Sequence, residues 1–462
     1  MIREAACKGK PNPDRCRSCG SFDNVHDLTD YLAIQTRGHM ISFNRLYAPL
    51  MIALIGAGCS SGDNGNTTTP PPPPPPPPEL STGPDSCSGG MAGDFACSGL
   101  SLRKRVPNDE MGGGDGNDIW GWVDAMTGNE YAIMGLTNGT AFVDVTDPDN
   151  PVFIGHLATN TTETGWRDMK VYMDHVYIVA DFLPNEPDRA HGMQVFDLTR
   201  LRTAVPPESF MADAIYDGFE NAHNVAINEA TGFAYAVGTN TCNGGLHIVN
   251  ITTPNNPMMA GCYNGAEIHD AQCVLYQGPD PDHAGREICV SSSHDFSLDE
   301  IPQVDITDVT DESAPINISR INYPDAGFAH QGWLTVDHRF FLLGDELDEL
   351  DLSVPTRTHV FDVSDLDAPV YLFAYEAATT SIDHNLYILG NRVFQANYTS
   401  GVRVLEFDNL SNMEITEIAF FDTFPGNNAT AFEGLWSVYP FLPSGNIIAS
   451  DTSNGLFILT LQ

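Results

Sequence analysis

The sequence predicts an all-β fold, a seven-bladed β-propeller, and three observations carry that prediction. One strand pattern recurs seven times along the chain. A short polar or aromatic motif opens the unit that each copy belongs to, and successive openings lie roughly 45 to 60 residues apart, near the length of a four-stranded propeller blade. The units follow one another without a helical stretch between them. A small antiparallel sheet cannot bury both of its faces alone, so each copy needs neighbours to pack against. A sandwich or barrel would not impose a long-period repeat with a fixed internal order.

The unit is clearest from Ala222 to Pro257. His223-Asn224 opens it and a short alternating run follows. A turn over Asn228 to Gly232 leads into an apolar strand, Phe233 to Val237. A Gly-rich loop precedes a last strand, Gly245 to Ile251, which ends in TTPNNP. Strand length, β-branched and aromatic content and Gly/Asn/Pro punctuation all mark these pieces as strands and turns. The closing strand recurs from Gly139 to Pro151 (GTAFVDVTDPDNP), from Gly192 to Thr199, from Val304 to Pro315, from Thr358 to Pro369, from Gly401 to Asp408 and from Gly455 to Leu459. The openings align as Trp120-Gly121-Trp122, Trp166-Arg167-Asp168, His223-Asn224, His269-Asp270, His330-Gln331, His384-Asn385 and Gly434-Leu435-Trp436.

The strand pattern G-x-x-x-V-D-[VI]-[TS]-[DT]-P-x-x-P resembles the LVIVD repeat. From about Cys87 to the end the chain is similar to choice-of-anchor B family proteins, through stretches such as Asn117 to Trp122, Ile268 to Cys273, His330 to Leu334, Asp345 to Glu349 and Asp383 to Tyr387. The resemblance implies a secreted or surface-anchored propeller and attaches no reaction to it.

Taken in order, residues 1–39 fit nothing downstream; they read as an extension ahead of a start at Met40. Residues 40–58 read as a lipoprotein signal peptide, with Arg45 as its basic residue and Leu46 to Ala57 as its apolar segment, too short to span a bilayer. Ile55 to Cys59 (IGAGC) resembles a bacterial lipobox, in which the Cys59 thiol carries the lipid. Ser60 rather than Asp after it favours the outer membrane. Residues 59–86 then form a lipid-anchored linker whose nine prolines, Pro70 to Pro78, make a stiff spacer of about 28 Å. Residues 87–462 are the propeller. Its six cysteines are even in number for an exported domain, and nearness suggests Cys87–Cys97, Cys242–Cys262 and Cys273–Cys289 among the 15 possible pairings. Leu100 to Val106, or a segment near it, is expected to pair with the Gly455 to Leu459 sheet and close the ring.

A formal charge of −40 with only 21 Lys+Arg argues against nucleic acid and anionic membrane surfaces as partners. In a propeller the innermost strands line an axial channel. There His223, His269, His330 and His384 would converge, with Arg167, Asp168, Asn224, Asp270, Gln331 and Asn385 beside them. Neutral imidazoles from several strands suit a transition metal. The same polar groups equally serve as blade-to-blade hydrogen bonds, and Arg167 among them opposes a cation. Asp345, Glu346, Asp348 and Glu349 form the densest acidic run, whose oxygens suit Ca²⁺ although EF-hand spacing is absent. A weaker calcium candidate is Asp115 to Asp118. Nucleophile elbow, P-loop and HExxH motifs are absent. The expected function is an envelope-anchored binding module taking a protein or carbohydrate ligand on a propeller face. The alternative is an exported metal-dependent enzyme working at the histidine-lined axis.

Overall fold

The computed structural model describes residues 79–183, 186, 188–294 and 302–462. The signal segment, Cys59 and the proline run lie outside the described residues. Seven separate sheets form the ring, all-β as the repeat predicts, and the inner strands of successive sheets are neighbours around one axis. The inner strands, one per blade, are β1 (Gly116–Val123), β2 (Trp166–Tyr172), β3 (Asn224–Asn228), β4 (Glu267–Leu275), β5 (Ala329–Leu334), β6 (Leu386–Leu389) and β7 (Leu435–Tyr439). Apolar clusters fill the gaps between blades; one joins Tyr177, Val179 and Val195 of the second blade to Val225, Ala234 and Val249 of the third.

The repeated strand is the third of four, which corrects the sequence reading of it as the last. In the Ala222 unit a fourth strand, Met258–Cys262, follows the Pro-rich turn and pairs with His247–Asn250. It is half-exposed and carries Gly261, so it lacks an apolar signature. The motif itself has a physical explanation. Its Asp or Asn ends the strand in a turn: Asp144, Asp197, Asn250, Asp308 and Asp362 each accept a hydrogen bond from the backbone N–H two residues on, at 2.9–3.0 Å. Its Gly admits the fourth strand. A Cβ at Gly192 would lie 2.3 Å from the Tyr216 carbonyl oxygen, and one at Gly401 2.2 Å from that of Phe421.

Two openings also need a shift in register. In the first blade the residues equivalent to Arg167-Asp168 are Asn117-Asp118, not Trp120 to Trp122: Asp118 caps the N–H of Ile119 as Asp168 caps that of Met169. In the last blade Trp436-Ser437 holds the place.

The ring closes as expected. Leu100–Val106 pairs antiparallel with Gly455–Leu461 and becomes the outer strand of the seventh blade. Just before it, Phe95–Ser98 pairs with Thr416–Phe421 on the outer edge of the sixth blade. One chain segment therefore clasps two blades. All three disulfides expected from nearness are present: Cys87–Cys97, Cys242–Cys262 and Cys273–Cys289. They fit an oxidising, exported setting. Among the described residues no helix is long and apolar enough to cross a membrane.

Candidate functional site

The first residues of the openings form a ring at one end of the axis. His223, His269, His330, His384 and Trp436 follow one another with ring centroids 4.5, 4.4, 4.3 and 4.8 Å apart. Three of the histidines point Nδ1 at the next blade: His269 donates to the His330 carbonyl at 2.9 Å, His330 to that of His384 at 3.2 Å, and His384 to that of Trp436 at 2.6 Å. His223 turns back instead, with Nδ1 3.0 Å from Asp181. A carbonyl only accepts, so in the three forward-pointing rings Nδ1 holds the hydrogen and Nε2 keeps its lone pair. Burial pushes the His384 imidazole down to about 3 and those of His269 and His330 well below their ordinary value, which keeps all three neutral.

In four of the openings the next residue straps blades together. The Asp168 carboxylate accepts from Val225 N–H at 2.7 Å, Asn224 donates to the His269 carbonyl at 3.0 Å, Gln331 accepts from Leu386 N–H at 2.8 Å, and Asn385 donates to Ser437 Oγ at 3.1 Å. Asp270 caps its own strand through Ala271 N–H at 2.6 Å, and burial pushes its carboxyl up to about 7. Lys170, which the sequence reading did not single out, sits 2.5 Å from Asp168 and 3.5 Å from Asp118. Asp118 is thus tied into the axis. Arg167 is buried and donates to the Leu136 carbonyl at 3.2 Å, with Nη1 3.1 Å from His191 Nε2.

The four histidines do not form one four-ligand site. Two of them meet a carboxylate from the acidic run: Nε2 of His330 and Nε2 of His384 each lie 3.7 Å from an oxygen of Glu346, and the three ligand atoms fall within 4.8 Å of one another. All three side chains are buried, and Tyr398 donates to Glu346 Oε1 at 2.9 Å. Burial pushes the Glu346 carboxyl up to about 7. His269 Nε2 is buried without a hydrogen-bond partner, and Arg167 and His223 share the same opening. A cavity of about 10 Å³, room for one water, lies between Arg167, His223, His330, His384 and Trp436.

The acidic run is not a single site. Asp345 ends a strand and is satisfied by Tyr323 OH, Gly327 N–H and Phe328 N–H at 2.7–2.8 Å. Glu346 faces the histidines. Asp348 and Glu349 lie in a short helix, Asp348–Leu352, and are buried rather than solvated. Asp383 joins this side from the residue before His384. Sequence spacing cannot show that, because Asp383 is more than thirty residues from the run.

The chain matches no family model and no curated protein. Solved structures it resembles include a computationally designed protein (TM-score 0.45, 10% identity, 82% of this chain and 97% of that one). Another is the periplasmic gluconolactonase of Pseudomonas aeruginosa (0.43, 13%, 66% and 87%). A third is a hypothetical selenium-binding protein from Sulfolobus tokodaii (0.41, 13%, 65% and 79%). At these scores the likenesses carry no argument about function, and the propeller stands on its own seven sheets.

Proposed function

We propose that this is an exported binding propeller of the LVIVD-repeat, choice-of-anchor B type, tethered through Cys59, which holds one divalent transition-metal ion at its axis. The observation that carries the metal is the convergence of His330 Nε2, His384 Nε2 and the Glu346 carboxylate. Two neutral imidazoles and one carboxylate form a known donor set for zinc and for non-haem iron. The two imidazoles approach different oxygens of the carboxylate, His330 Nε2 lying 3.7 Å from Oε2 and His384 Nε2 3.7 Å from Oε1, and the three ligand atoms stay within the span of one coordination sphere. The Nδ1–H···O=C bonds supply the outer-shell support such ligands need, fixing tautomer and ring orientation. Strut and ligand are therefore two ends of the same imidazole.

Elemental analysis of the purified full chain tests this. About one zinc, iron or copper per chain is expected, at least tenfold depleted in His330→Ala/His384→Ala. A wild-type chain that retains no metal after incubation with Zn²⁺ and desalting would refute the site.

A further inference from the structure

We infer that Arg167 holds an inorganic anion of halide size, chloride in practice, in the axial cavity. The guanidinium is 2% exposed. Its Nε donates to the Leu136 carbonyl and its Nη1 to His191 Nε2. His191 accepts there because its Nδ1–H goes to the Gly192 carbonyl at 3.0 Å, and burial pushes its imidazole down to about 3. Both partners are therefore neutral. Nη2 is buried and, among the described residues, has no hydrogen-bond partner. Burial lowers the guanidinium only to about 10, so it is charged at neutral pH, and among the described residues no carboxylate pairs with it. Buried charges in native proteins are paired, and a buried guanidinium with two idle N–H groups is costly in both charge and hydrogen bonds.

The cavity limits the size of the counter-ion. Arg167 lines it together with Trp166, His223, Asn224 and Trp436, and its volume of about 10 Å³ suits one particle the size of a water. A water accepts from Nη2 but leaves the charge unbalanced, whereas a halide answers both needs. Sulfate, phosphate and carboxylates are too large. Asn224 Nδ2 gives one hydrogen to the His269 carbonyl and has a second to offer. Asp118 also lies on the wall, but burial pushes its carboxyl well above its ordinary value, which favours the neutral acid, and Lys170 Nζ stands 3.5 Å from it. The formal charge of −40 repels anions over the rest of the chain, so selection of one falls to this guanidinium. The inference needs no metal, although an anion on Arg167 removes the repulsion that Arg167 sets against a cation beside His330 and His384.

Thermal melts of the full chain in NaCl and in sodium gluconate at equal ionic strength provide the test, since gluconate is too large to enter. Binding only to the folded state should raise the wild-type Tm by about 3–5 °C at a chloride concentration near 100 times Kd. EDTA-treated wild type should show the same rise, which separates the anion from the axial metal. Arg167→Met should lose it. Wild-type crystals grown in NaBr should show an anomalous bromine peak in contact with Arg167 Nη2, a reading that does not depend on how the variant folds. Equal Tm values in the two salts, a rise that survives in Arg167→Met or vanishes with EDTA, or a cavity without bromine signal would overturn the site.

Discussion

Asp451 shows what burial does to a single carboxyl in this fold. It is fully buried, its Oδ1 accepts from Ser453 and Asn454 N–H, and its Oδ2 has no partner. Burial pushes its carboxyl up to about 6. Its folded value therefore lies above its unfolded one. Its stabilising share is full below about pH 4 and is lost as pH rises through about 6. Asp451→Asn should remove that pH dependence and gain up to about 3 kcal/mol at pH 7, as read from urea melts at pH 4 and pH 7. A variant with an unchanged pH profile would show that the group stays ionised. Gly192 tests the opposite effect. It combines φ 65° with the Tyr216 carbonyl in the place of its Cβ, so Gly192→Ala should cost about 2–3 kcal/mol. At this scale the sequence showed which residue types reach the axis but not how they divide. Glu346 reads as one more acid in a run of acids. Only the fold places it opposite His330 and His384, because the strand ends at Asp345 and Glu346 is the first residue of the turn that follows.

The third strand of each blade was legible because its chemistry repeats: a glycine where another backbone must approach, a β-branched core run, and an Asp that ends the strand. The fourth strand was not, because its outer edge alternates between neighbour and solvent and carries residues such as Val152, Met258, Ile316 and Val370 in exposed positions. Insertions blurred it further. After the second blade's third strand, Glu208–Phe210 returns to pair in parallel with Val152–Ala158, and Arg202 grips Asp124 in the first blade at 2.6 and 2.7 Å. The cysteine pairs followed from nearness because each bridge stays within one blade or one hairpin. Cys242–Cys262 closes a loop with a separation of 20 residues around the Gly-rich segment beside the axis. Its removal in Cys242→Ser/Cys262→Ser should cost about 3 kcal/mol in denaturant melts under non-reducing conditions. An unchanged midpoint would mean that the loop is already held by its own hydrogen bonds.

For the whole molecule, seven units and ring closure could be read from the sequence, since count and order are properties of a repeat. The proposed tether rests on Cys59 and its neighbours alone. Cys59→Ser should move the protein from the membrane fraction to the soluble one, and an unchanged distribution would remove the tether. The clasp formed by residues 95–106 on the sixth and seventh blades has a further effect, on timing. Its strand partner Gly455–Leu461 is made more than three hundred residues later. Until that strand is present the ring cannot close, and the first segment keeps an unpaired edge of the kind that invites aggregation. Circularity thus works as a clock: the ring locks only when the strand Gly455–Leu461 arrives.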